Sequence, residues 1–308
     1  MTKIFTLSNS KHLEKGLTHP IGKWSLERFS DGEVKPKLLE SVRGHRVIIL
    51  GSLKSEDLIE LIMLADALKR SAAKEIIGFF PYLLFMRQDR QDEPRTPIGA
   101  KAIARVIEVS GIDQVITLDL HANQIEGFFD IPVTHIMGNN IFVPHIAKNY
   151  DTSNSIIVSP DFGGGKRAGK LAREFNLPVA LINKEREKAN IISNMDLIGD
   201  VSGKDVIIYD DMVDTAGSLV TATDLLLQEG ANSVKACITH GVLSGPAIER
   251  INSSNLEKLI ISDSINNSSK NSDKIDIISC NSVFDDVIRT IINSQSVNEM
   301  LENNYRNS

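Results

Sequence analysis

The sequence predicts an α/β fold made of two tandem domains, each a mostly parallel sheet flanked by helices. Three observations predict it. The chain has 308 residues, enough for two domains at roughly 150 residues apiece. Short β-branched apolar runs alternate with helix-like patterns along most of its length, the signature of βαβ units. In each half a strand ends in an acid and enters a polar turn, Leu118-Asp119-Leu120-His121 in the first and Tyr209-Asp210-Asp211 in the second, which points to a duplicated unit.

Taken in order, a short strand over 3–7 is followed by apolar strands over 47–50, 75–80, 114–118, 155–158, 179–183, 205–209, 233–239 and 259–262. Ser55 is placed to cap a helix whose Leu58, Ile59, Ile62, Met63 and Ala65 fall on one face, and Thr96-Pro97 opens a helix that Gly111 closes. Residues 166–175 and 218–228 supply two more helices. A polar break over 142–154, containing Pro144, separates the halves into domains of 1–143 and 144–284, with a C-terminal helix over 285–303 joining the first. The Ser- and Asn-rich stretch 264–273 reads as a mobile surface loop.

Composition excludes several classes. Hydrophobic residues are 42% and charged residues 24% of the chain, an ordinary globular balance. Forty acids against 34 bases give a net charge of −6, so the whole-molecule positive field of a non-specific nucleic-acid binder is missing. The longest apolar stretches, 47–50 and 58–64, fall far short of the roughly 20 residues a membrane helix needs. Residues 1–11 read as strand and polar loop, with no secretory pattern, so the expected location is cytoplasmic. Two cysteines, Cys237 and Cys280, are too few for a disulfide framework and lie in apolar runs, so buried free thiols are expected.

The chemically richest stretch is Val206-Ile207-Ile208-Tyr209-Asp210-Asp211-Met212-Val213-Asp214-Thr215-Ala216-Gly217-Ser218. An apolar strand carries two carboxylates to its C-terminal edge, where open α/β sheets bind ligands. Small residues, two hydroxyls and successive amides then open a helix, an arrangement that cradles a phosphate while the acids accept hydrogen bonds from sugar hydroxyls. A purely structural role as helix cap and turn would leave two edge acids buried without partners, which is costly.

These residues closely resemble the phosphoribosyl pyrophosphate signature shared by type I phosphoribosyltransferases and ribose-phosphate diphosphokinases. Ser218 departs from the usual Thr and keeps the hydroxyl. The resemblance to ribose-phosphate diphosphokinases runs almost from end to end. Arg28-Phe29-Ser30-Asp31-Gly32-Glu33, Arg87-Gln88-Asp89-Arg90, Asp119-Leu120-His121-Ala122, Ser159-Pro160-Asp161, Lys184-Glu185-Arg186 and the Asp210 to Ser218 run stand in family order. A plain phosphoribosyltransferase carries only the last. The resemblance implies two phosphoribosyltransferase-like domains, an ATP side in the first and a ribose 5-phosphate side in the second.

It further implies a division of labour. Phe29, Asp31 and Glu33 contact adenine from a neighbouring subunit, and Arg87, Gln88 and Asp89 complete the ATP site. Asp210 and Asp211 hold the ribose 2- and 3-hydroxyls, while Asp214, Thr215, Ala216, Gly217 and Ser218 hold the 5-phosphate. His121 and Asp161 place Mg²⁺ on the ATP phosphates, and Lys184 and Arg186 stabilise the transferring group. The other histidines are given no role. Magnesium keeps mostly water and phosphate oxygens, so one His and one Asp are chemically sufficient. Lending Phe29 between subunits implies a homo-oligomer, a hexamer in bacterial-type relatives.

Other features complete the reading. Gly163-Gly164-Gly165-Lys166-Arg167-Ala168 formally matches a dinucleotide fingerprint, but Pro160-Asp161-Phe162 intervenes and the expected downstream acid is Asn183. A backbone cradle for pyrophosphate fits better. The 90–96 loop is charged and Pro-broken, as a water-excluding lid would be, though Asp92 and Glu93 are acidic where relatives are more basic. Arg43 matches a position that in relatives contributes to a phosphate and ADP regulatory site. The expected activity is transfer of the β,γ-diphosphoryl group of Mg·ATP to the C1 hydroxyl of ribose 5-phosphate. The alternatives are a catalytically silent subunit of the same family and a phosphoribosyltransferase.

Overall fold

The computed structural model describes the backbone of residues 2–188 and 191–306 and the side chains of residues 2–183 and 196–302. The chain divides into two compact units. One comprises Met1–Met137, Ser264–Asn266 and Cys280–Leu301, the other Gly138–Asp263, Asn267–Ser279 and Glu302–Ser308.

In the first unit β1 (Thr2–Thr6) is followed by the hairpin β2 (Trp24–Arg28) and β3 (Val34–Leu38). Then come β4 (Arg46–Leu50), α1 (Asp57–Arg70), β5 (Glu75–Phe80), α2 (Gly99–Val109), β6 (Gln114–Leu118) and β7 (Val133–Ile136). The sheet runs β1-β4-β5-β6-β7 with every pair parallel, in registers such as Leu50↔Phe79 and Leu118↔Ile136. Its core includes Phe5, Val47, Ile49, Phe80 and Val115 against Leu61, Leu64, Ile103 and Ile107 of α1 and α2.

The second unit contains α3 (Asn139–Asn149), β8 (Ser155–Ser159), α4 (Gly165–Glu174), β9 (Val179–Lys188), β10 (Ile191–Ile198) and β11 (Asp205–Val213). It continues with α5 (Gly217–Gln228), β12 (Ser233–Gly241), α6 (Ala247–Ser253), β13 (Lys258–Ser262) and β14 (Ile275–Ile278). The sheet order is β10-β9-β8-β11-β12-β13-β14, parallel except for the antiparallel β9–β10 pair. The strand order reverses between the neighbours β8 and β11, the kind of switch point where doubly wound sheets open a ligand crevice. Alternate residues of β11 serve opposite faces. Val206 and Ile208 join the core beneath α5, and Ile207 and Tyr209 join the one beneath α3 and α4.

Several expectations are corrected. The segment read as a polar break is largely the helix α3, whose Ile141, Phe142, Val143 and Ile146 are buried and which accommodates Pro144. Tyr209 donates its hydroxyl to Asn139 Oδ1 at 2.8 Å, and its ring lies edge-on to Phe142. The α1 stripe facing the core is Leu61, Leu64, Ala65 and Leu68, leaving Ile59 and Met63 exposed. Ser55 does not cap it. The Lys54 amide instead donates to Asp57 Oδ2 at 3.0 Å. The helix expected from Thr96-Pro97 begins at Gly99.

The stretch 264–273 is tied down rather than loose. Ser264, Ile265 and Asn267 are buried, Asn267 Nδ2 donates to the Gly241 carbonyl, and Lys270 Nζ donates to the carbonyls of Val242 and Leu243. Short polar side chains satisfy backbone groups here, so their abundance does not mean solvation. The single helix expected over 285–303 is two, α7 (Asn281–Ile292) and α8 (Val297–Arg306). They are separated where Ser294 takes φ 54° and Gln295 N–H closes on the Thr290 carbonyl at 2.9 Å. Both cysteines are free and buried, and burial pushes the Cys237 thiol up to about 12.

Within the first unit, α7 is fastened by Phe284 packed on Phe79 and by Asp285, whose carboxylate accepts from the Thr18 amide at 2.8 Å, the Thr18 hydroxyl and Arg289 Nη2. Burial raises this carboxyl's pKa, but those donors and His19 outweigh it and hold it down at about 2. A group depressed in the folded state contributes stability above its unfolded pKa and loses it as pH falls toward the folded value. Asp285→Asn is therefore expected to lower stability at pH 7 by about 2 kcal/mol and to flatten the loss between pH 4 and 2. Chemical denaturation across that range checks it. An unchanged acid limb contradicts it.

Candidate active site

In the second unit the site grows from β11. The strand does not stop at Tyr209 but continues to Val213, so Asp210 and Asp211 lie inside it, paired with β12 in the registers Asp210↔Ile238 and Met212↔His240. Asp211 is 2% exposed. Arg167, the third residue of α4, reaches both acids through one nitrogen: Nη1 is 3.0 Å from Asp211 Oδ1 and 3.3 Å from Asp210 Oδ1. Asp210 Oδ1 also accepts from the Asp211 amide at 2.9 Å. Burial, then the adjoining Asp211 carboxylate, push the Asp210 carboxyl well above the usual carboxylate range, with Arg167 opposing both.

Asp161 follows β8, the neighbour of β11. Its Oδ1 accepts from the Gly164 amide at 2.8 Å, and its carbonyl accepts from Ser159 Oγ at 2.7 Å. A Cβ on Gly164 would stand 2.6 Å from Ser159 Oγ, so only glycine permits this approach. The 163–165 glycines thus open α4 beside the acid pair, with Phe162 and Gly163 exposed.

Past β11 the loop of Asp214, Thr215, Ala216, Gly217 and Ser218 turns into α5. Ala216 takes the left-handed conformation, φ 60° and ψ 2°, at the helix's N-cap, a strain that clusters at ligand sites. The loop is held from outside. Ser244 Oγ donates to Asp214 Oδ1, the Ser244 amide to the Asp214 carbonyl at 3.1 Å, and Arg250 Nη1 to the Thr215 carbonyl at 3.0 Å. Backbone amides at the start of α5, aided by the helix dipole, form an anion cradle.

In the first unit the expected residues occupy three places. Phe29, Asp31 and Glu33 form the exposed turn of the β2–β3 hairpin, closed by Phe29 N–H to Glu33 O at 2.9 Å and Glu33 N–H to Asp31 Oδ1 at 3.0 Å. Lys35 Nζ lies 5.9 Å above the Phe29 ring. Arg87 and Gln88 are exposed between β5 and α2, and Gly99 leaves room for the Gln88 side chain against the helix start. Asp89 is buried and held on both oxygens by Arg90, Nε and Nη2 each at 3.0 Å, which keeps its carboxyl below the usual range. Its field also reaches His121.

His121 follows β6 through a tight turn in which Asp119 takes φ 45°. The Leu120 amide donates to His135 Nε2 at 2.9 Å, and His135 Nδ1 lies 2.7 Å from Glu126 Oε1. An acceptor at Nε2 requires the proton on Nδ1, which Glu126 then receives as a hydrogen bond. The loop over 91–96 is largely exposed, crossed by Gln91 Nε2 to the Thr96 carbonyl at 2.9 Å.

Lys184 and Arg186 lie on β9, but their side chains fall outside the described residues. His121 and Asp161 stand in different units. Among the described residues no cluster of three or more His, Cys, Asp or Glu side chains could hold a metal by itself, and no helix is long and apolar enough to cross a membrane. Sequence reasoning missed Arg167, Ser244, Arg250 and His135. For Arg167 a signal existed. The Lys166-Arg167 pair opens a helix whose first turn holds no acid, against the preference of the helix dipole.

Comparison with known proteins now bears on this geometry. A family model described as the N-terminal domain of ribose phosphate pyrophosphokinase matches residues 2–111, and one described as the phosphoribosyl synthetase-associated domain matches residues 186–302. The chain is 44% identical over 295 residues to a ribose-phosphate pyrophosphokinase of Campylobacter jejuni, covering 94% of each. It is 41% identical over 300 residues to that of Porphyromonas gingivalis, covering 96% of each. Among solved structures it is similar to the phosphoribosylpyrophosphate synthetase from Mycobacterium smegmatis, with a TM-score of 0.89, 31% identity, and 95% of this chain and 99% of that one covered.

The His135 relay yields a prediction. His135→Leu removes the acceptor of the Leu120 amide, so exchange protection of that amide should fall roughly tenfold to a hundredfold, the equivalent of about 1–3 kcal/mol. Hydrogen exchange resolved at Leu120 measures this. Unchanged protection would show that the relay does not hold the turn.

Proposed function

The chain belongs to the ribose-phosphate pyrophosphokinase family, and from that premise we propose how its own residues divide the reaction. The enzyme is a diphosphotransferase. The C1 hydroxyl of ribose 5-phosphate attacks the β-phosphorus of ATP, the bond from that phosphorus to the α-phosphate oxygen breaks, AMP leaves and the hydroxyl proton is released. Phosphoribosyl pyrophosphate is the product.

Little covalent work falls to the protein in such a transfer, so its residues act by positioning and by neutralising charge. Asp210 and Asp211 accept hydrogen bonds from the ribose 2- and 3-hydroxyls. Asp214, Thr215, Ala216, Gly217 and Ser218 bind the 5-phosphate through amides and hydroxyls, with the left-handed Ala216 turning successive N–H groups inward. Arg87, Gln88 and Asp89 take the nucleotide, and the exposed Phe29, Asp31 and Glu33 reach an adenine bound by a neighbouring copy in a homo-oligomer. Lys184 and Arg186 stabilise charge on the transferring group, and the 90–96 loop excludes water. The observation that carries the reading is the acid pair of β11 running directly into a phosphate cradle, in a chain that aligns almost whole with the pyrophosphokinases.

His121 and Asp161 are the proposed magnesium ligands. An imidazole and a carboxylate suit an ion that keeps most of its coordination for water and phosphate oxygens. When bound, magnesium neutralises charge on the ATP phosphates.

Two outcomes test the assignment. Lys184→Ala should lower kcat by about 10²–10³-fold with the circular dichroism spectrum intact; near-normal turnover would contradict it. Asp210→Asn combined with Asp211→Asn should raise the KM for ribose 5-phosphate by about tenfold or more while the KM for ATP moves less than about threefold. Equal rises for both substrates would remove the ribose site from β11.

A further inference from the structure

The guanidinium of Arg167 is the least explained charge near the site. Its side chain is 10% exposed and stands in the first turn of α4, where Lys166 and Arg167 oppose the helix dipole and the turn itself holds no acid. Helix stability therefore does not account for an arginine there. Its compensation comes from another element, the two consecutive carboxylates of β11, both reached by the same nitrogen.

Those contacts do more than balance charge. On Asp210 the Arg167 nitrogen and the Asp211 amide converge on one oxygen, Oδ1, which fixes the carboxylate's rotation. A carboxylate so held is a preorganised acceptor. It discriminates against an analogue lacking the hydroxyl, because a partly desolvated acceptor then loses one of its hydrogen bonds. An unconstrained acid rotates toward water or its neighbour and discriminates less.

We propose that Arg167 is a positioning residue of the ribose site, holding Asp210 and Asp211 in the arrangement that accepts a vicinal diol and so setting the preference for ribose 5-phosphate over 2-deoxyribose 5-phosphate. The proposal rests on the reading that these acids bind the ribose hydroxyls. Arg167 touches neither the reacting phosphorus nor the C1 hydroxyl in this account. Its loss acts on substrate binding and sugar selectivity more than on the chemical step.

The test uses the full-length enzyme with Mg·ATP. It measures kcat, the KM values of ATP and ribose 5-phosphate, and the inhibition constant of 2-deoxyribose 5-phosphate as a competitor of ribose 5-phosphate. Arg167→Met keeps the aliphatic stem and removes the fork. It should raise the ribose 5-phosphate KM about tenfold or more, change kcat and the ATP KM less than about threefold, and reduce discrimination against the deoxy sugar about tenfold. Arg167→Lys keeps the charge but carries it as a compact ammonium on a flexible stem, without the planar guanidinium that places Nη1 between the two acids. It should recover part of the KM and part of the discrimination, and it carries the test if the Met variant does not fold. Full discrimination in both variants, or in Lys alone should Met be insoluble, overturns the proposal, as does an equal rise in both KM values. Asp211→Asn separates the two levels. If it leaves the ribose 5-phosphate KM unchanged, the ribose-site reading itself falls. If it raises that KM while the Arg167 variants keep full discrimination, only the role of Arg167 falls.

Discussion

Two carboxylates on consecutive residues of a buried strand impose the constraint on which the second unit's site depends. Desolvating Asp210 and Asp211 side by side is unfavourable, and β11 tolerates them because Arg167 approaches from α4 and the Asp211 amide turns back onto Asp210. That approach requires α4 to start close to the sheet, which Gly164 permits against Ser159. It also requires β8 and β11 to be neighbours, which the reversal of strand order provides. Helix start, glycine and sheet topology thus serve the same pair of acids. Downstream, the strand passes straight into the left-handed turn at Ala216, so the acid pair and the loop that opens α5 share one support.

The first unit uses a related device with different chemistry. β6 also ends in a buried acid, Asp119, whose backbone takes a positive φ before His121. The turn is held through the Leu120 amide and His135. Asp89 is neutralised locally by Arg90, while exposed charges stand on the 87–96 stretch and on the hairpin turn. Both units therefore set strained backbone on the C-terminal ends of parallel strands, where a packed sheet can sustain it.

Much of this was legible in the sequence, for identifiable reasons. The strands over 75–80 and 114–118 coincide with β5 and β6 because apolar runs in parallel sheets are buried on both faces and read as continuous. The loop over 214–218 stood out because small and hydroxylic residues follow the strand directly. The extension of β11 through Asp210 and Asp211 was not, since acids disfavour strands and only pairing with β12 keeps them there. Helix α3 was hidden by Pro144 and its polar neighbours, although Ile141, Phe142, Val143 and Ile146 face inward. The hairpin carrying Phe29 left little trace because its strands are half exposed on one side and open on the other. For Arg167 the basic pair at the start of a helix marks the residue but not its partners. Its partners lie 43 and 44 residues away, and nothing local says which strand the first turn of α4 will meet.

Diphosphoryl transfer joins ATP and ribose 5-phosphate on this chain. Phosphorus NMR of the full-length enzyme incubated with Mg·ATP and ribose 5-phosphate tests it most directly. AMP and a sugar bearing a diphosphate on C1 are expected, formed in equal amounts and only when the sugar phosphate is present. ADP with a monophosphorylated C1, or AMP and free pyrophosphate without any change in the sugar, would contradict it.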